Sequence, residues 1–143
     1  MELSISWPAV LSAIAVAVAV GMAIAWIWYS DWGLVGGVWR KLTGVTKEDS
    51  ERGGKGPFVV LVASIVVTAL TLAAASSVTS GFFGIDSFWA ALAVALVAWL
   101  GFSLSTLAQH NGFEQKPGQL TVINSAYQLV LFLGMAVPIG LLR

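Results

Sequence analysis

Polar side chains that could do chemistry gather near the ends of three apolar stretches of the sequence. Asn124 and Gln128 are one helical turn apart and can share a helix face. Histidine titrates near neutral pH, so a site containing His110 could exchange protons. One hypothesis is a polar pocket in which Asp31, His110 and Glu114 hold a cation, exchange protons or bind a polar head group. The candidate site comprises Tyr29, Asp31, His110, Asn111, Glu114, Asn124, Tyr127 and Gln128.

The same residues also have a purely structural interpretation, which we favour. Asn124, Tyr127 and Gln128 would then tie helices to one another through hydrogen bonds. The three ionisable residues of the proposed pocket would lie in water at the membrane interface. The two interpretations differ in whether the polar side chains bond to a ligand or to each other.

Motifs of known catalytic and metal sites are absent from the sequence. There is no HExxH pair, no GxSxG elbow, no P-loop and no dinucleotide fingerprint. The chain has no cysteine, which excludes disulfides, thiolate metal sites and c-type haem attachment. Seven basic and seven acidic residues give no net charge, and therefore no basic footprint for nucleic acid. We predict no catalytic residues, no cofactor and no metal.

The composition is that of a membrane protein. Hydrophobic residues make up 58% of the 143-residue chain and charged residues only 10%, whereas roughly 25% of an ordinary soluble domain is charged. Mean hydropathy is +0.89. The charges concentrate between Asp31 and Lys55 and leave long stretches without any. Such stretches are typical of segments that lie in lipid.

Four stretches are long enough to cross a bilayer, since about 20 apolar residues span a hydrocarbon core of roughly 30 Å. Their unbroken hydrophobicity favours helices over the alternating strands of a membrane barrel. The residues expected to start them are the cap residues Ser6 and Asp86 and the first-turn prolines Pro8 and Pro57. We therefore predict an all-α integral membrane protein, a four-transmembrane-helix bundle forming a single domain over residues 1–143. The predicted spans are residues 7–29, 57–79, 87–108 and 120–142.

Basic residues determine the predicted orientation. The connections at residues 30–56 and 109–119 carry six Lys and Arg residues, whereas the opposite side carries only Arg143. Loops rich in Lys and Arg stay in the cytoplasm. We therefore predict cytoplasmic connections, both termini outside, and a multi-pass location in a bacterial-type inner (plasma) membrane.

Two features are expected within the first connection and one within the third span. The apolar residues from Trp32 to Leu42 predict a short interfacial helix after the first span. Thr46 and Asp49 have the spacing of a capping box, which predicts a further helical turn. Trp99 lies deep in its span, where its indole N–H needs a hydrogen-bond partner.

Small residues recur at helical spacing in three of the spans. Helices in lipid pack through such residues because the hydrophobic effect contributes little there. We favour packing within one chain over a homo-oligomer face as the role of these ridges. They are Ala13, Ala17, Gly21 and Ala25 in the first span, Ala91 and Ala95 in the third, and Ala136 and Gly140 in the fourth.

Several short motifs resemble a known family. They are Trp28-Tyr29-Ser30, Trp39 with Gly44 and Thr46, and Phe113-Glu114 followed by Ile123-Asn124 and Tyr127. Over almost its whole length the chain is similar to the bacterial membrane proteins grouped as domain of unknown function 1761. The resemblance implies four spans but brings no established reaction. Asp31 stands where the family pattern tends to have proline, and Gln128 where it often has histidine, so no role for a histidine there carries over.

Three function hypotheses follow from these observations. The first is a non-enzymatic accessory or interaction module that binds a membrane-protein partner or a second copy of itself. The alternative is a small-solute or ion binder or transporter that uses the polar residues at the cytoplasmic ends of the first, third and fourth spans. No charged residue lies deep in a span, where ion pathways commonly have one. A membrane enzyme is the weakest hypothesis.

Overall fold

Four long helices make up most of the protein in the computed structural model, which describes residues 6–143. Each is long and apolar enough to cross a membrane, which confirms the predicted all-α fold class with four spans. The third long helix is interrupted by a π-helical segment, Trp99–Leu104. In chain order the α-helices are α1 (Trp7–Tyr29), α2 (Gly36–Thr43), α3 (Lys47–Arg52), α4 (Gly56–Phe83), α5 (Ser87–Ala98), α6 (Ser105–Phe113) and α7 (Gly118–Leu142).

The second and third long helices run past the predicted ends of their spans. The second ends at Phe83, and the third ends at Phe113. The predicted spans were bounded by apolar residues, whereas a helix continues for as long as its backbone hydrogen bonds continue. Of the two predicted caps, Asp86 accepts a hydrogen bond from the Phe88 backbone at 3.0 Å. Ser6 is the N-cap residue of α1, as predicted, but its side chain makes no cap bond.

The four long helices form a ring in which each is antiparallel to its neighbours. α7 packs along α1 on one side and α5 on the other, and α4 closes the ring between them. α4 and α7 also meet across the centre. α7 is the most buried, with 44% of its apolar window inside the protein against 17–22% for the others. The exposed sides of the remaining helices are left for lipid.

The small-residue ridge of α1 packs inside the bundle. Its four members, Ala13, Ala17, Gly21 and Ala25, are the buried residues of this helix. A Cβ added at Gly21 would lie 2.9 Å from Ile65 Cγ2 on α4 and 3.1 Å from Met135 Sδ on α7. The ridges of α5 and α7 are buried too. The interpretation as packing within one chain is therefore confirmed for all three ridges.

A tight turn connects α1 to the helix predicted after the first span, which is present as α2. The backbone N–H groups of Leu34 and Val35 donate to the carbonyls of Ile27 and Trp28, both at 3.1 Å. A Cβ at Gly33 would collide with the Ile27 carbonyl, so glycine is needed here. The turn folds α2 back against α1 and α7.

Candidate functional site at the connection end

The polar residues singled out in the sequence lie at one end of the bundle, which we call the connection end. Here α1 and α6 end, α4 and α7 begin, and α2 and α3 lie between them. The structure brings Tyr29, Asn124 and Tyr127 together. Tyr29 Oη donates to Asn124 Oδ1 at 2.6 Å, and the two tyrosine rings meet edge to face with centroids 4.8 Å apart. The contact joins the last turn of α1 to the second turn of α7.

Four aromatic rings form what we call the aromatic cluster: Trp28, Tyr29, Trp39 and Tyr127. Trp39 of α2 lies edge to face with Tyr29 at a centroid distance of 5.9 Å. Trp28 lies 6.3 Å from Tyr127. Such pairs contribute about 0.5–1.5 kcal/mol each beyond their buried area. The cluster attaches α2 to the bundle. Sequence reasoning did not include Trp39 in the site, because only the turn after α1 brings it back.

Asp31 finds its partner within the first connection. Arg40 Nε donates to Asp31 Oδ1 at 2.6 Å, and Arg40 Nη1 donates to Ser50 Oγ at 2.9 Å. The hydrogen bond from Arg40 holds the pKa of Asp31 below its usual value. Arg40 thus links the end of α1 to α3. The sequence offered no signal for this contact, since nine residues and a turn separate the two charges.

Asn111 and Glu114 hold the connection between α6 and α7. Asn111 is buried, and its Nδ2 donates to Thr121 Oγ1 at 3.0 Å. Glu114 forms an ion pair with Lys116 at 2.8 Å, and the hydrogen bond from Lys116 lowers the pKa of the Glu114 carboxyl. His110 is exposed on the last turns of α6. Thr121 is a further polar residue that sequence reasoning missed.

The predicted site residues therefore divide into separate contacts. Tyr29 bonds to Asn124, Asp31 pairs with Arg40, and Glu114 pairs with Lys116. Gln128 is half-buried one turn beyond Asn124 on α7. Within residues 6–143, no three His, Asp or Glu side chains are grouped so that they could hold a metal ion. The use of these residues as a ligand site stays a prediction.

The π-helical segment is tied to α7 by a deeply placed tryptophan. Trp99 Nε1 donates to the Ser125 carbonyl at 2.8 Å, which confirms that the indole N–H needs a partner in the span. A carbonyl inside an α-helix normally accepts only from its own helix, so its second lone pair is available to the indole.

A second polar group, which the sequence analysis did not identify, lies at the other end of the bundle, which we call the opposite end. Arg143 donates to Ser77 Oγ on α4, and its other terminal nitrogen lies 3.5 Å from Ser87 Oγ on α5. Ser87 Oγ donates to the Gly140 carbonyl at 2.8 Å. Partial burial lowers the pKa of the Arg143 guanidinium. One side chain thus links the ends of α4, α5 and α7.

The fold and the composition of its surface define an α-helical, multi-pass membrane protein. Residues 12–140 match the protein family of unknown function DUF1761, and the chain belongs to this family. This confirms the resemblance drawn from the short motifs. No curated protein and no solved structure matches the chain.

Proposed function

We propose that the protein is a non-enzymatic accessory or interaction module of the inner membrane, and that α3 is its docking element. The observation that carries the proposal is the position of α3. This charged helix is folded and exposed, and within residues 6–143 its backbone makes no close approach to another helix. Because α3 is tied to the rest of the chain mainly by the side-chain bond from Arg40 to Ser50, its exposed face is available to a partner.

Local bonds hold α3 in one conformation. Thr46 Oγ1 accepts from the Asp49 backbone at 3.1 Å, and Asp49 Oδ2 accepts from the Thr46 backbone at 3.0 Å. This is the capping box predicted from the sequence. The bond from Arg40 to Ser50 then fixes α3 relative to α2. Preorganisation of this kind lowers the entropy lost on binding.

The other polar side chains at the connection end support the same proposal, because they bond to each other and are not free to bind a ligand. Tyr29 with Asn124, and Asn111 with Thr121, bond to each other. In this proposal, these bonds hold the ends of the helices from which the connections extend. The basic connections would face the cytoplasm by the positive-inside rule, so the partner is the cytoplasmic part of another membrane protein or of a second copy.

Affinity purification in mild detergent tests the proposal. We expect a stoichiometric partner or a defined homo-oligomer. Glu51→Lys on the exposed side of α3 should reduce the recovered partner without changing helical circular dichroism. Glu114→Lys makes the same charge change on the other connection and is the matched control. A strictly monomeric particle without a partner, or equal losses with both variants, would contradict the proposal.

The alternative proposal is a small-solute or ion binder or transporter that uses the polar residues of the connection end. Its support is the gathering of these residues at one end of the bundle. Bonds between the side chains compete with any ligand, which makes this the weaker candidate. Flux into reconstituted vesicles that falls on replacing Asp31, His110 or Asn124 would favour it, and flux indifferent to them would remove it. A membrane enzyme has still less support, because no catalytic motif is present.

A further inference from the structure

The turn between α1 and α2 folds back along the last turn of α1. The Leu34 backbone N–H donates to the carbonyl of Ile27, and the next N–H along the chain donates to the carbonyl of Trp28. Both acceptors precede Tyr29, the residue at which α1 ends. Since a helix rises only about 1.5 Å per residue, the bonded turn lies level with the last few residues of the span. The chain therefore passes the end of the span and returns to it before α2 begins.

Apolar side chains of the turn and of α1 form one exposed surface, which we call the turn patch: Trp26, Ile27, Trp32 and Leu34. The rings of Trp26 and Trp32 meet edge to face with centroids 5.0 Å apart, which joins the turn to the outer side of α1. Trp32 is 64% exposed and Leu34 is 68% exposed. The two residues of α1 are exposed as well. Contiguous exposed apolar surface marks a place of contact with a partner or a membrane.

The position of the turn patch indicates lipid as its partner. Two of its four residues belong to α1, whose exposed side is left for lipid. The other two are held beside them, Trp32 by the ring contact and Leu34 by its backbone hydrogen bond. The turn patch thus continues the lipid-facing surface of the span. Tryptophan suits the membrane boundary, because its indole combines an apolar ring system with a polar N–H.

The backbone of the turn is also suited to the membrane boundary. In lipid, a backbone N–H needs a partner within the protein. The N–H of Gly33 donates to the Ser30 carbonyl at 2.8 Å, and the next two N–H groups donate to carbonyls of α1. Asp31, the charged residue nearest the turn patch in sequence, is paired with Arg40. These contacts allow the turn to enter the boundary, where an unpaired donor or an uncompensated charge would hold it in water.

We propose that the turn patch inserts into the boundary between the head groups and the acyl chains of the bilayer, and so anchors the first connection to the membrane surface. The inserted element is the turn that precedes α2, not the helix itself. The partner is the lipid, whatever its head group, because the contact is apolar. Insertion holds α2 at the membrane surface, and the bond from Arg40 to Ser50 extends this constraint to α3. The anchor does not depend on the docking role of α3.

Nitroxide labels on single cysteines test the proposal, since the chain has no cysteine of its own. The full chain is reconstituted into phosphatidylcholine vesicles, and its labels are exposed to oxygen, which concentrates in lipid, or to a neutral nickel chelate, which stays in water. We expect labels at Trp32→Cys and Leu34→Cys to be relaxed more strongly by oxygen. Val97→Cys, on the exposed side of α5, is the lipid reference. Glu48→Cys, exposed on α3, is the water reference and should be relaxed more strongly by the chelate.

Two results at Leu34 would overturn the proposal. A label relaxed chiefly by the nickel chelate, as at Glu48, would show that the turn lies in water. A label relaxed by neither reagent would show that protein, either a partner helix or a second copy, covers the turn patch. Trp32→Cys removes the ring contact with Trp26, so the label at Leu34 decides if the two positions disagree.

Discussion

The two ends of the bundle hold their helices together with different kinds of polar contact. At the connection end, neutral pairs such as Tyr29 with Asn124 join the spans, and the ions pair within the connections. At the opposite end, the guanidinium of Arg143 reaches hydroxyls on two other helices. The connection at residues 30–56 supplies its own counter-charges, whereas the turn at residues 84–86 has one carboxylate, Asp86, whose side chain caps α5. The partners of Arg143 therefore come from the spans. Serine is suited to this role because it is polar but uncharged.

The ends also differ in how closely the backbones of the long helices approach one another. At the opposite end, a Cβ at Gly140 would lie 2.6 Å from Phe88 Cα and 3.2 Å from the Ser87 carbonyl. At the connection end, a Cβ at Gly112 would meet nothing within 4 Å. Gly112 lies on the exposed side of α6. The close approaches at the connection end, at Gly33 and Gly36, lie within the turn after α1. The contact between α5 and α7 at the opposite end should therefore tolerate added volume less well than the exposed side of α6.

The largest effect is expected from Gly140→Ala. The new methyl group would overlap backbone atoms of α5 that cannot rotate away, so α5 and α7 must separate. We expect a loss of about 2–3 kcal/mol in the free energy of unfolding, measured by denaturant titration in detergent micelles. Gly112→Ala is the control at the connection end and should be neutral or slightly stabilising, because alanine favours helix. Equal effects at the two glycines would refute the proposed difference in packing.

Removal of the Arg143 side chain should have the next largest effect. Arg143→Ala removes the hydrogen bonds to Ser77 and Ser87. Because these bonds have a charged donor, we expect the free energy of unfolding to fall by about 1–2 kcal/mol. Lys116→Ala removes an exposed ion pair at the connection end and should cause no measurable change. Thermal unfolding in one detergent would compare the two. If the lysine variant is the more destabilised, the ends do not differ as described.

Tyr29→Phe should cost less than either change at the opposite end. It deletes one hydroxyl and leaves the rings of the aromatic cluster in place. The expected loss is about 0.5–1 kcal/mol, in line with hydrogen bonds between helices in lipid. A double-mutant cycle with Asn124→Ala would isolate the pair. Strict additivity in that cycle would show that the hydrogen bond contributes nothing.

The smallest effect concerns the titration of Asp31. Its pKa is lowered in the folded protein by the hydrogen bond from Arg40, so the pair stabilises the fold above the ordinary aspartate pKa and is lost as the pH falls through the lowered value. Because Asp31 is exposed, the change in stability should be slight. Carboxyl NMR should show its pKa rising towards the ordinary value in Arg40→Gln. No shift would mean that the ion pair is absent in solution.

Much of the fold follows from the sequence because the membrane imposes strong local rules. Each span must satisfy its backbone hydrogen bonds internally and stay apolar for about 20 residues. The positions of α1 and α7 are therefore readable without a structure. The ridge from Ala13 to Ala25 was readable as well, since helical spacing places its members on one face. The ends of α4 and α6 were not, because helices continue past the apolar segment.

The candidate site was only partly predictable. That Tyr29, Asn124 and Tyr127 share one end of the bundle follows from counting the spans, and the contact between them is consistent with that count. Which polar groups bond to each other depends on how far the chain turns back after α1. Gly33 permits that turn, which brings Trp39 to Tyr29 and Arg40 to Asp31.

The sequence by itself determined that the chain is a four-span helical protein of its family, because hydropathy and short motifs are local properties. Only the tertiary structure decided how the polar residues are used. Hydrogen bonds and ion pairs depend on distances of a few ångströms between distant parts of the chain, and helical periodicity does not specify them. The same holds for a groove of about 720 Å³ at the connection end, which residues of α1, α3 and α4 line together.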